Sequence, residues 1–241
     1  MNNGAVITRW ETNKKLFFMR DELYPKFSIL DPKNTFSVPK DQTAYGIVDA
    51  FSHVLEQYIQ TEKNTPIQDR FSEGILHTLI ENGPLVITNP TNYEARANIM
   101  LSASMALNNL ISMGTNQDWA THSIEHELSA FYDIPHAAGL AIITPRWMRV
   151  IKNQKLFKLA HYGRRIWNLT GEDEVVASKA IDKTYEFFNS LGVKMSLKDW
   201  NIDNSRFEII NDRLVKTGIG EFALSGEQIR DILDNCLIIW D

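Results

Sequence analysis

The sequence predicts a mainly α-helical protein entered through a short β segment, and three observations lead there. Runs rich in β-prone residues occur only near the start of the chain. From Pro39 onward the apolar residues recur at the helical spacing of 3.6. Only 12 glycines and 8 prolines occur in 241 residues, a lower share of helix breakers than the usual ~12%, which favours helices.

The elements follow in order. Gly4–Thr8 and Lys15–Met19, joined across Trp10-Glu11-Thr12-Asn13, read as a hairpin, and Phe27–Leu30 as one more strand. After Pro39, the residues Tyr45, Val48, Ala50, Phe51, Val54, Leu55, Tyr58 and Ile59 line one face of a helix of about 20 residues. Further helices are expected at 67–81, 92–113, 118–131, 136–151, 154–168, 173–190, 205–217 and 226–237. Pro66, Gly83-Pro84, Gly114, Pro135, Gly192 and Gly220 punctuate them. Ser225-Gly-Glu-Gln228 has the form of a capping box, and Gly114 stands where a helix ends. The expected organisation is a β-rich segment over 1–45 and a helical body over 46–241.

Composition narrows the function classes. With 44% hydrophobic and 23% charged residues, the chain is far from the signature of disorder. Its 25 basic against 30 acidic side chains leave a net charge of −5, which gives nucleic acid or an anionic membrane no electrostatic reason to bind. The single cysteine, Cys236, rules out disulfide frameworks and thiolate zinc sites and fits a reducing cytosol. Any metal must then be held by histidine and carboxylate. No apolar run reaches the 18 or more residues of a membrane span, and MNNGAVITRWE lacks the regions of a signal peptide. A cytoplasmic location is expected.

Histidine is the informative residue. Asp49 and His53 lie four apart and share a helix face in an otherwise apolar stretch, where an unpaired buried carboxylate is costly, so either that face is solvent-exposed or Asp49 has a cationic partner, a metal being one candidate. His122 and His126 repeat the same spacing, and His136 opens the next helix after Pro135. Asp with three imidazoles is a set that suits a divalent metal such as Zn²⁺ or Fe²⁺. The surplus histidine would stand beside the metal to exchange protons or orient substrate. Two other readings stay open. His122-Ser-Ile-Glu125-His126 also fits the H-x-x-E-H form of inverted zinc peptidases, and the histidines of a non-catalytic helical protein would be purely structural. His77 and His161 read as structural, Trp119 and Phe131-Tyr132 as core, and Cys236 as a buried small hydrophobe.

At these residues the sequence resembles the iron-containing alcohol dehydrogenase family, in its branch of NAD(P)H-dependent butanol dehydrogenases and aldehyde reductases. YPKFSILDP, PKDQTAYGIVDAFSHVLEQYI and QDWATHSIEHELSAFYDIPHAAGLAI are similar to successive landmarks of that family's C-terminal, helical part. The resemblance implies Asp49, His53, His122 and His136 as ligands of an iron or zinc ion, with His126 facing the reacting centre. It implies hydride transfer between NAD(P)H and a primary alcohol or aldehyde, with the metal as Lewis acid. The family's α/β nucleotide-binding domain carries a glycine-rich GGGS segment, and neither it nor G-x-G-x-x-G occurs here. The expectation is therefore a chain without its cofactor domain, with Met1 resembling an internal methionine, that binds metal but does not turn over alone. Exposed strands and the Phe17-Phe18-Met19 side predict a homo-oligomer.

Overall fold

The computed structural model describes residues 2–62 and 64–240, so the reading of Met1 lies outside the described residues. The expected hairpin is present. Strand β1 (Gly4–Arg9) pairs antiparallel with β2 (Lys14–Met19) in the register Gly4↔Met19 to Arg9↔Lys14. The turn closes on Asn13, whose left-handed backbone (φ 46°) is one that asparagine tolerates. Nine α-helices follow among the described residues: α1 (Lys40–Tyr58), α2 (Pro66–Thr88), α3 (Tyr93–Ala106), α4 (Ala120–Tyr132), α5 (His136–Ile151), α6 (Leu156–Trp167), α7 (Asp173–Ser190), α8 (Phe207–Thr217) and α9 (Gly226–Asn235). None of them is long and apolar enough to cross a membrane.

Helices α1 and α5 form the centre, each burying more than half of its residues. Ile47, Val48, Phe51, Val54 and Leu55 of α1 and Leu140, Ala141, Ile142, Ile143 and Trp147 of α5 are fully buried. Burying a side chain of this size stabilises the fold by roughly 1.5–3 kcal/mol, which outweighs any local preference for the surface. Helix α1 packs on α2, α3 and α5; α4 packs on α5 and α8; α6 pairs with α7, and β2 lies against α4. The capping box at Ser225 is formed, with its side chain accepting from the Gln228 N–H and the Gln228 side chain accepting from the Ser225 N–H.

Four expectations are corrected. Phe27–Leu30 forms no strand; Phe27 and Ile29 are more than 80% exposed, because a four-residue strand exists only by pairing and the described sheet has two strands. Gly83-Pro84 does not end its helix: α2 continues to Thr88, with Gly83 buried against Ile47 and Leu191. The helix expected over 92–113 stops at Ala106, where Asn108 turns its side chain back on the Leu110 N–H and Asn109 goes left-handed. Gly114 therefore lies in a turn beyond the helix. Helix α4 starts at Ala120, since Trp119 before it has a left-handed backbone.

Candidate metal centre

Helices α1, α4 and α5 bring the histidines together. Asp49 and His53 stand one turn apart on α1, His122 and His126 one turn apart on α4, and Pro135 turns the chain so that α5 opens at His136. The Oδ1 of Asp49 lies 3.6 Å from His53 Nε2, 4.0 Å from His122 Nε2 and 3.5 Å from His136 Nε2. Metal–ligand bonds of about 2.1 Å place the corners of a tetrahedral site about 3.4 Å apart, so these atoms stand near the separations that one ion would impose. Asp49, His122 and His136 each offer an atom to a common point, and the His53 ring lies 4.3 Å from that of His122. Asp49 Oδ1 and His122 Nε2 are buried without a hydrogen-bond partner. Such orphaned groups cost ~1–3 kcal/mol each, a cost that a cation would relieve. Oxygen and imidazole nitrogen in this arrangement fit a divalent ion.

Carboxylates hold two of the rings from behind. The Oε2 of Glu56 contacts His122 Nδ1, while its Oε1 accepts from the Thr121 N–H at 2.6 Å. Glu125 contacts His136 Nδ1 and is itself held by the Ser129 hydroxyl and by Lys15, which reaches from β2 to within 3.3 Å. A carboxylate on Nδ1 fixes the tautomer that leaves Nε2 free as a ligand. Helices α4 and α5 approach closely at this point: a Cβ on Gly139 would stand 2.8 Å from Glu125 Cγ, so only glycine fits there.

Burial sets the protonation of the site. It pushes His53 and His122 down to about 4 and His126 down to about 3, and it pushes the Glu56 carboxyl up to about 7. For His136, burial works against the charge, yet the Glu125 hydrogen bond and carboxylate prevail and raise its pKa. Glu125 is lowered for the reciprocal reason, its own burial being outweighed by His136 and Lys15. The rings of His53, His122 and His126 are thus neutral near pH 7, the form in which imidazole binds metal.

His126 lies beside the cluster, its ring 5.4 Å from His136 and 6.4 Å from His122. All five of these side chains border one cavity of roughly 630 Å³, with Trp119, Leu107 and the hairpin residues Val6, Phe17 and Met19 among its other walls. The placement of Trp119 in the core is thereby corrected. A peptidase-like use of the H-x-x-E-H run is not favoured: Glu125 is fully buried and both its oxygens are engaged, so it is not placed to activate a water. His77 bonds the Arg165 carbonyl at 3.0 Å and His161 contacts Glu73 at 3.2 Å, both outside the cluster. Cys236 is buried and its thiol is pushed up to about 12.

Sequence reasoning did not assign Glu56, Lys15 or Gly139 to the site. Only Glu56 carried a signal, three residues after His53 and therefore on the same side of α1.

Residues 43–236 match the Fe-containing alcohol dehydrogenase family, C-terminal part. The chain is 45% identical over 238 residues to the probable NADH-dependent butanol dehydrogenase 1 of Bacillus subtilis, covering 97% of this chain and 62% of that protein. It is 42% identical over 232 residues to the NADPH-dependent aldehyde reductase YqhD of Escherichia coli, covering 96% of this chain and 60% of that protein. The crystal structure of E. coli K-12 YqhD superimposes with a TM-score of 0.94 at 41% identity, over 98% of this chain and 62% of that one. The chain thus spans about three fifths of the length of these relatives.

Proposed function

Because the chain belongs to the Fe-containing alcohol dehydrogenase family, we propose that Asp49, His53, His122 and His136 hold a divalent metal, iron or zinc, at the site of an NAD(P)H-dependent alcohol dehydrogenase or aldehyde reductase. The observation that carries this reading is the set of three imidazole Nε2 atoms 3.5–4.0 Å from one buried, unpartnered Asp49 oxygen. A metal bound there supplies Lewis-acid polarisation of the substrate oxygen.

The chain's own residues do the rest. Glu56 and Glu125 hold the His122 and His136 rings by Nδ1. His126, neutral near pH 7 because it is buried, is placed at the cavity to take up the hydroxyl proton of an alcohol. A bound NAD(P) would supply the acceptor for the carbinol hydride, and the role of His126 would be confined to the hydroxyl proton. In the direction of reduction, His126 would pass a proton taken up from solvent to the substrate oxygen. The substrate is a primary alcohol or aldehyde small enough for the cavity.

These 241 residues contain no glycine-rich phosphate-binding loop, so the reading includes metal binding without turnover by this chain on its own. It further includes a helical metal-binding body over 46–241 fronted by the β-rich segment 1–45, a cytoplasmic location, and self-association through the exposed apolar residues of that segment. Plasma mass spectrometry of the purified, untagged chain tests the core of the reading. The expected result is near-stoichiometric iron or zinc in the parent and its loss in both His122→Ala and His53→Ala. Metal retained in His53→Ala but lost in His122→Ala would favour a site built on His122 and His126 instead. Absence of metal after reconstitution would overturn the reading.

A further inference from the structure

Trp119 has a backbone that a bulky residue adopts only where its surroundings enforce it, with φ 59° and ψ 17°. The enforcement comes from both neighbours. The Asp118 N–H donates to the Glu56 carbonyl at 3.0 Å, and the Asp118 carboxylate accepts from the Ala120 N–H at 3.1 Å and from Lys155 at 2.6 Å. The Ser123 hydroxyl donates to the Trp119 carbonyl at 2.7 Å. The indole is fixed in turn, its Nε1–H donating to Gln117 Oε1 at 2.7 Å. It packs at steep angles on the His53 and His122 rings, 5.5 and 5.2 Å away.

A rigid aromatic surface is therefore built into the cavity wall beside the histidines, and Val6, Phe17, Met19 and Leu107 add further carbon to the same lining. The ionisable groups of the lining are Asp49 and the four histidines, which stand together, and Asn2, Asn109, Gln117 and Ser123 are its uncharged polar members. A ligand with a polar head and an apolar tail matches that division.

We propose that Trp119 is a specificity-determining residue that receives the hydrocarbon tail of an aliphatic alcohol or aldehyde whose oxygen lies at the Asp49–histidine cluster. The proposal rests on the metal-site reading above. It makes Trp119 a contact for the tail and gives it no part in holding the metal.

The test needs neither nicotinamide nor turnover. The chain is loaded with Co²⁺ and titrated with straight-chain alkyl hydroxamates of increasing length, whose heads bind the metal, followed by the visible absorption of cobalt. In the parent, Kd should fall by about fourfold per added methylene, the increment for burying one CH₂. In Trp119→Ala the increment should drop below about twofold, with Co²⁺ affinity unchanged. An equal increment in parent and variant, or none in the parent, overturns the proposal while leaving the metal site standing. Failure of the parent to bind Co²⁺ would instead remove the reading on which it rests.

A second measurement avoids dependence on the folding of the alanine variant. The Zn²⁺-loaded chain labelled with 5-fluorotryptophan carries six fluorinated indoles, and Trp119→Phe identifies the resonance of the one in question. That resonance should move with hexanohydroxamate more than with acetohydroxamate. A shift independent of tail length overturns the proposal.

Discussion

At the scale of single residues, carboxylates hold two of the clustered imidazoles by their Nδ1 atoms. Glu56 is completely buried and joins the Thr121 N–H to His122 Nδ1. Replacing it by Gln keeps the volume but offers an amide where a carboxylate orients the ring, and such losses behind a metal ligand cost about 10–100-fold in affinity. Glu56→Gln should therefore weaken Zn²⁺ binding by that factor in a competition titration with a chromophoric chelator, with helical circular dichroism unchanged. An unaltered affinity would mean that Glu56 only fills space. The histidines were legible in the sequence because i, i+4 pairs declare a shared face without knowledge of the fold. Their partners were not. The Glu56–His122 and Lys15–Glu125 contacts join residues far apart in the chain, and only helix packing decides such meetings.

At the scale of elements, helix positions followed from apolar periodicity, whereas their ends followed from contacts that periodicity does not contain. Gly83-Pro84 looked like a stop, yet the packing of Gly83 on Ile47 carries α2 through it. The start of α4 shifted because a buried ion cluster dictates the turn before it. Lys155, with no side-chain exposure, meets Asp118 at 2.6 Å, Glu221 at 2.9 Å and the Ile59 carbonyl at 2.9 Å. It ties the start of α6 to the segment after α1, the turn before α4 and the segment after α8. Removing the cation leaves two buried carboxylates without their counter-charge, which typically costs about 3–5 kcal/mol. Lys155→Met, similar in length, should lower unfolding stability by that amount in urea and also weaken metal binding, since the Asp118 carboxylate accepts from the first N–H of the helix that carries His122. Lost stability with intact metal affinity would mean that the cluster supports the fold without placing α4.

At the scale of the whole molecule, the helical body buries most of its apolar residues while the segment before it leaves most of its own exposed. Leu16, Phe17, Phe18, Met19, Leu23, Tyr24, Phe27 and Ile29 are all exposed, Phe27 and Ile29 by more than 80%. Soluble monomers rarely show contiguous apolar patches beyond a few hundred Å², and a two-stranded sheet with open edges invites further pairing. A second copy of the chain, at high concentration, supplies apolar surface of the same kind. Sedimentation velocity should accordingly show mass above the 27.7 kDa of one chain, rising with concentration. The double variant Phe27→Ser, Ile29→Ser should shift the distribution back toward the monomer. Its thermal unfolding should hardly change, because neither side chain contributes to the packed core and exposed substitutions usually stay within about 0.5 kcal/mol. A monomeric parent at all concentrations would show that this surface is tolerated in water. Equal association in the double variant would move the interface to the helical body.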